Sequence, residues 1–115
     1  MTFDVEIVLR GMDRGATETV VHDGNDPLAW TDDDVRGVLR GILLAIDRVK
    51  NPGGMAPPVT LRGFSWIVEP VEGQVIIALE IPMGAAVAGP FAVDQKRLDG
   101  MIARVLAEAA AGTVH

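Results

Sequence analysis

Residues 31–50 read TDDDVRGVLRGILLAIDRVK, and they carry the clearest periodicity in the 115-residue chain. Apolar residues recur there at intervals of three and four, and charged residues gather on the opposite side, which predicts an amphipathic helix. Thr31 followed by Asp34 three residues later predicts an N-terminal cap, and a Pro-Gly-Gly stretch from Pro52 ends the helix. The apolar stripe consists of Val35, Val38, Leu39, Ile42, Ile46 and Val49.

Two segments before this helix favour strands. Residues 2–10 alternate between apolar and polar side chains, and residues 17–22 are rich in threonine and valine. Both patterns are typical of half-buried strands, and the glycine-containing turn between them predicts an antiparallel pair. Residues 23–27 read DGNDP, which predicts a surface loop between the second strand and the helix.

After the helix, residues 59–69 and 75–81 are rich in strand formers and predict a β-hairpin. The proline and glycine in residues 70–73 fit a four-residue loop, which would place Glu69 opposite Gln74. This register gives the hairpin an aromatic core face. The residues expected on that face are Phe64, Trp66, Val68, Val75, Ile77 and Leu79.

The last third of the chain predicts a loop followed by a helix. Residues 82–91 are almost all small and apolar, which we interpret as a loop over the end of the core, and a helix begins at Asp94. The order strand, strand, helix, strand, strand, helix predicts an α+β fold in a single domain over residues 1–115. Its architecture is a two-layer sandwich, with a four-stranded, mainly antiparallel sheet and both helices on one face.

Composition excludes several classes of function. Ten basic and sixteen acidic residues give a net charge of −6, which disfavours binding to nucleic acid or to an anionic membrane surface. The absence of cysteine excludes disulfides, thiolate catalysis and iron-sulfur clusters. The first residues include two acids, Asp4 and Glu6, which do not fit a secretory signal and predict a cytoplasmic protein. The long apolar run at residues 75–93 contains two prolines, so we do not expect it to span a membrane.

The best candidates for catalysis are His22 and the carboxylates around the loop that follows it. His22 with Asp23, Asp26 or Asp34 could transfer protons or hold a divalent cation. Local structure explains the same residues as a strand end, a turn and a helix cap, so the sequence assigns no catalytic residue, no metal site and no cofactor. Whether the protein is an enzyme stays open.

A second set of residues suggests a small-molecule site. Trp30, Arg62, Met83 and Phe91 are candidates for lining an apolar pocket beneath residues 83–91. Arg62 is expected on the core side of the sheet near a strand end, where its charged group could reach water or pair with an acid. Alternatively, its charge could meet an anionic ligand. A small-ligand carrier is therefore one possible function.

A third set suggests association. Gly37 and Gly41 lie one helical turn apart beside Leu44, and each glycine costs about 1 kcal/mol relative to alanine in a helix. A strand, a helix or another subunit that approaches closely would explain the missing side chains. On the outer face of the hairpin, Ile67 is expected opposite Ile76 among small residues.

These observations favour a small binding module that forms a homodimer, through the outer sheet face or through the glycine side of the first helix. The alternatives are an acid-base or cation-dependent enzyme that uses His22, and a small-ligand carrier. The expected partner is a second copy of the chain, with no nucleic acid and no membrane, and a small-molecule ligand is possible.

Overall fold

The computed structural model describes residues 1–54 and 59–112, and this part of the chain forms five β-strands and two α-helices. The predicted α+β class with two helices is confirmed, but the sheet has one strand more than predicted. Residues 55–58 and 113–115, which include Pro57, Pro58 and His115, lie outside the described residues. The strands are β1 (Thr2–Leu9), β2 (Ala16–Val21), β3 (Ser65–Val71), β4 (Gln74–Ile81) and β5 (Gly84–Phe91), and the helices are α1 (Asp32–Lys50) and α2 (Gln95–Gly112), with a short 3-10 helix at Pro27–Ala29.

The strands form one antiparallel sheet in the order β2-β1-β5-β4-β3. Alternate residues of β1 are buried, from Phe3 to Leu9, and they share a core with the apolar stripes of both helices. The helices therefore cover the same face of the sheet, as predicted. The other face is lined by residues that are exposed or half-buried.

The segment predicted as a loop, residues 82–91, contains the middle strand of the sheet. β5 pairs with β1 on one side and with β4 on the other, and Ala86 and Ala88 are buried beneath the helices. Alanine has a low intrinsic preference for strands, so the sequence of this segment does not favour a strand. Hydrogen bonding to a neighbouring strand on each side places the segment in the sheet. The run at residues 75–93 thus consists mainly of two strands. No helix in the described ranges is long and apolar enough to cross a membrane.

The hairpin turn is shorter than predicted. Glu72 and Gly73 both have positive φ, at 49° and 82°, which is the conformation of a two-residue turn that matches the twist of its strands. Val71 consequently pairs with Gln74, in place of the predicted pair of Glu69 with Gln74. The pairing is shifted by two residues from the predicted register.

A shift of two residues keeps every side chain on its predicted face, because side chains alternate with a period of two. Trp66 pairs with Leu79, and both lie on the core face, as predicted. The outer face differs in detail, since Ile67 pairs with Ala78 rather than with Ile76.

The centre of the core is Trp30, not the hairpin aromatics. The side chain of Trp30 is fully buried, and its ring centroid lies 5.0 Å from that of Phe91, which in turn lies 5.1 Å from Phe3. Phe64 and Trp66 are only half-buried because they lie at the edge of the sheet, before and within β3. The other core residues predicted from the helices and β4 are buried, namely Ile42, Ile46, Ile77, Leu79, Leu98, Ile102 and Val105.

Contacts between the helix layer and the loop around Trp30 hold this part of the core in place. Arg97 on α2 donates hydrogen bonds to the carbonyl oxygens of Leu28 and Trp30. Arg104, also on α2, donates from Nε and Nη2 to the two carboxylate oxygens of Asp32, each at 3.0 Å. This pairing lowers the pKa of Asp32. The start of α1 is thereby tied to α2.

We predict that Trp30→Ala lowers the free energy of unfolding by about 3 to 5 kcal/mol, because it removes a fully buried side chain and leaves a cavity. Trp66→Ala should cost clearly less, since that side chain is half-buried. Chemical denaturation of the two variants measures the difference.

Fluorescence quenching gives an independent measurement. In Trp66→Phe the remaining tryptophan is Trp30, which should be shielded from a soluble quencher. In Trp30→Phe the remaining tryptophan is Trp66, which should be quenched. Equal losses and equal quenching would show that the core is centred elsewhere.

Candidate functional site

Asp34 is the one buried charged residue among the described residues, with 6% of its surface exposed. It lies in the first turn of α1, where Thr31 caps the helix. The Thr31 hydroxyl accepts a hydrogen bond from the backbone N–H of Asp34, and the Asp34 carboxylate accepts one from the backbone N–H of Thr31. The predicted cap is therefore confirmed as a reciprocal capping box.

The carboxylate of Asp34 also binds the loop that follows β2. Its Oδ1 accepts from the backbone N–H of Asn25 at 3.0 Å and lies 3.0 Å from Nε2 of His22. Its Oδ2 accepts from Nδ2 of Asn25 at 2.9 Å and from the Thr31 hydroxyl at 3.1 Å. One side chain thus joins β2, the loop and α1.

The hydrogen bonds decide the charge state of Asp34. Burial opposes ionisation, but the donors of Thr31, Asn25 and His22 outweigh it and hold the pKa of Asp34 well below its usual range. An ionised carboxylate only accepts hydrogen bonds, so Nε2 of His22 carries the hydrogen in this contact.

Two glycines make room for the His22 ring. A Cβ atom at Gly24 would lie 1.9 Å from Oδ1 of Asp34 and 2.5 Å from Nε2 of His22, so this position accepts only glycine without rearrangement. A Cβ at Gly37 would lie 3.3 Å from Cε1 of His22. The roles of Gly24 and Asn25 cannot be recognised from the sequence, since nothing in the DGNDP stretch distinguishes a residue that binds Asp34 from an ordinary turn residue.

The structure brings together only two of the predicted catalytic candidates. His22 and Asp34 are in contact, whereas Asp23 and Asp26 are exposed and neither is among the hydrogen-bond partners of His22 described here. Asp26 instead precedes the 3-10 helix, where its carbonyl oxygen accepts from the N–H of Ala29 at 2.8 Å. Within residues 1–54 and 59–112, no three acidic or histidine side chains are arranged to hold a metal ion.

The predicted ligand-binding residues are dispersed. Trp30 and Phe91 contact each other within the core, and the indole N–H of Trp30 donates to the carbonyl oxygen of Asn25 at 2.9 Å. Met83 lies before β5 and Phe91 ends it, so they are separated by the length of an eight-residue strand, about 26 Å. Arg62 is exposed ahead of β3, apart from the other three candidates.

The predicted interface glycines face another element of the same chain. A Cβ at Gly41 would lie 2.7 Å from Cγ1 of Val20, and Gly37 lies beside His22, at the end of β2. A strand is therefore the closely approaching partner that these glycines require. Leu44 is half-buried on the same helix. Ile67 and Ile76 remain as the predicted interface residues on the open sheet face.

The open sheet face carries exposed apolar side chains. Val8, Ile67 and Val87 are 54%, 52% and 38% exposed, and Ile76 is half-buried. Rows of paired residues cross the sheet, and one row runs from Ile67 through Ala78 and Val87. The small side chains of Ala78 and Ala85 leave a shallow depression of about 360 Å³ between the larger ones.

The comparisons with known proteins give no relative: no model of a protein family, no curated protein and no solved structure matches this chain.

We predict that Asp34→Asn lowers the free energy of unfolding by about 1 to 3 kcal/mol, because an amide cannot accept all the hydrogen bonds that the carboxylate receives. Asp33→Asn is the matched control: it lies in the same helical turn, but its side chain is 89% exposed, and it should cost less than about 1 kcal/mol. Urea denaturation at pH 7 compares them. Equal effects of the two substitutions would contradict a special role of the buried carboxylate.

The same carboxylate predicts a pH dependence. Asp34 has a lower pKa in the folded protein than in the unfolded chain, where an aspartate titrates at about 3.9. The stability that it supplies is fully present above the unfolded pKa and is lost as the pH falls toward the folded pKa. The stability difference between wild type and Asp34→Asn should therefore stay constant from pH 7 to about pH 5 and shrink as the pH is lowered further to about 3. A difference that stays constant over this range would show that ionised Asp34 is not the stabilising species.

Proposed function

We propose that this protein is a small binding module that acts as a homodimer through its open sheet face. The observation that carries the proposal is the exposure of Val8, Ile67 and Val87 on a face that the helices of the described chain leave uncovered. Clusters of exposed apolar side chains of this kind are typical of interaction sites. A cytoplasmic location stays a prediction from the sequence.

The size of the face fits a second copy of the chain. The five strands contain six to eight residues each and are about 20 to 26 Å long. At a spacing of about 4.8 Å they form a face about 24 Å wide, not counting the area that the protruding side chains add. A standard interface buries about 800 Å² on each partner. Two such faces in contact would form a sheet-on-sheet sandwich, in which alternate side chains interdigitate across about 10 Å.

The relief of the face also suits a symmetric contact. Ala78 and Ala85 form the floor of the depression, and Ile67 and Val87 stand beside it. In a two-fold arrangement, each copy offers both the depression and the side chains that can fill it, which is the self-complementarity that such an interface needs.

The alternatives receive less support from the geometry. An enzyme that uses His22 would need an accessible proton-transfer group, but the His22 side chain is only 10% exposed and its Nε2 donates to Asp34. All the other donors to Asp34 belong to its own helix cap and the adjoining loop, which favours a structural role. The ligand carrier depended on a loop at residues 83–91, and strand β5 occupies most of that segment.

The oligomeric state tests the proposal. We expect the wild-type protein to have the mass of a dimer in light scattering at tens of micromolar. Val87→Lys places a charge on the middle strand of the open face and should yield a folded monomer. Leu28→Lys is the matched control, because Leu28 is 77% exposed on the 3-10 helix and outside the sheet face, and this variant should remain dimeric.

A monomeric wild type would refute the proposed function. A Val87→Lys protein that remains dimeric, with unchanged circular dichroism, would show that the chain associates through another surface.

A further inference from the structure

The open sheet face has an uneven distribution of charge. Its middle strand, β5, presents Ala85, Val87 and Gly89, none of which is charged. The strands on either side are acidic: β1 presents Asp4 and Glu6 to this face. On the other side, β4 presents Glu80 and β3 presents Glu69.

A two-fold axis within the plane of the contact brings each residue on the axis against its own copy. An axis along β1 would place Asp4 and Glu6 opposite the same residues of the second copy. An axis along β4 would place the two copies of Glu80 opposite each other. Facing like charges at an interface is strongly unfavourable. β5 avoids this cost, and because it is the third of five strands, an axis along it also uses the whole face.

We propose that the two-fold axis of the homodimer runs along β5, so that β1 of each subunit lies over β4 of the other and Arg10 pairs with Glu80 across the interface. This inference rests on the proposed function, namely the dimer through the open face, and adds the orientation of the two subunits.

The strand registers support the pairing. Ala85 pairs with Val8 on one side and with Glu80 on the other, so Val8 and Glu80 lie at the same level on opposite sides of the axis. The rotation carries Val8 over Glu80 of the second copy. Arg10 lies two residues beyond Val8, in the turn that follows β1, and its backbone N–H donates to the carbonyl oxygen of Met83 just before β5. Two residues of extended chain span about 7 Å, a distance that the long arginine side chain can bridge.

The same rotation keeps the acidic residues apart. Val87 pairs with Glu6 on one side and with Ala78 on the other, so Glu6 of one copy faces Ala78 of the second. With the axis along β5, the two copies of β5 run parallel, so residues at equal levels on β1 and β4 remain opposite each other.

Both members of the proposed pair are available. Arg10 and Glu80 are exposed, and neither takes part in an ion pair among the described residues. The two side chains line one open groove of about 570 Å³ at the end of the sheet, together with Met83. None of the five strands contains a basic residue, and Arg10 lies in the turn that directly follows β1.

Charge reversal followed by mixing tests the orientation. Arg10→Glu alone would place two acids together at both symmetric contacts, and Glu80→Arg alone would place two bases together. Each variant should dimerise at least about tenfold more weakly than wild type. In an equimolar mixture both contacts become pairs of opposite charge, so the heterodimer should form with nearly wild-type affinity. Native mass spectrometry, with one variant isotopically labelled, measures the proportion of heterodimer.

Glu69→Arg is the control for a general effect of charge, because Glu69 on β3 lies over β2 of the second copy, away from Arg10. Mixed with Arg10→Glu, it should give no preference for the heterodimer. A contact between Arg10 and Glu80 within one subunit would not produce such a preference either, since neither single variant can restore it. A preference for the heterodimer over both homodimers therefore supports the orientation directly.

The outcomes separate this inference from the proposed function. A monomeric wild type refutes both. A dimeric wild type that Val87→Lys dissociates, combined with no preference for the heterodimer of the charge-reversed variants, refutes only the placement of the axis. Circular dichroism of each variant before mixing confirms that a loss of dimer is not a loss of fold.

Discussion

The small, uncharged side chains of the middle strand are the constraint on which both layers of the structure depend. β5 is hydrogen-bonded to β1 on one edge and to β4 on the other, which fixes its position in the sheet. The space above and below β5 therefore depends on the size of its side chains. Ala86 and Ala88 on the inner face leave room for the helices to approach the sheet closely. Ala85 and Val87 on the outer face keep the centre of that surface shallow and free of charge. The strand therefore shapes the core and the proposed interface at once.

The Asp34 cluster shows how a buried charge can serve the fold. A carboxylate removed from water is costly unless its oxygens are hydrogen-bonded, and here donors from Thr31, Asn25 and His22 meet that need. Among the described residues, no buried side-chain polar atom lacks a partner. A group whose hydrogen-bonding capacity is already used has little left for a ligand, which is why we interpret the cluster as a structural joint.

The charges of the two layers are arranged differently. On the helix layer, Arg36 pairs with Asp33 and Glu108, and Arg104 pairs with Asp32, so these arginines are held within the subunit. Glu80 on the open sheet face and Arg10 in the turn after β1 have no such partners among the described residues. A charge that the subunit leaves unpaired can direct the orientation of a second subunit at little cost to folding.

The sequence alone determined the features that depend on neighbours in the chain. The stripe of α1 and its cap at Thr31 follow from spacings of three and four residues, and the faces of the hairpin follow from alternation. The register of that hairpin was wrong by two residues, because a four-residue loop and the two-residue turn at Glu72-Gly73 fit the same stretch. The sequence indicates His22 and Asp34 as candidates around one loop, but nothing in it marks Asn25 as a partner of Asp34.

Only the tertiary structure decided the place of β5, the burial of Trp30 and the partner of the helix glycines. An alanine-rich segment has no strong preference of its own, and its pairing with β1 and β4 on both edges makes it a strand. Trp30 packs against Phe91, which lies far away in the sequence, and Gly41 is covered by Val20 of β2. Such contacts join residues distant in sequence, so no local pattern records them. Periodicity shows which side of an element is apolar, and the packing of the whole chain determines what covers it.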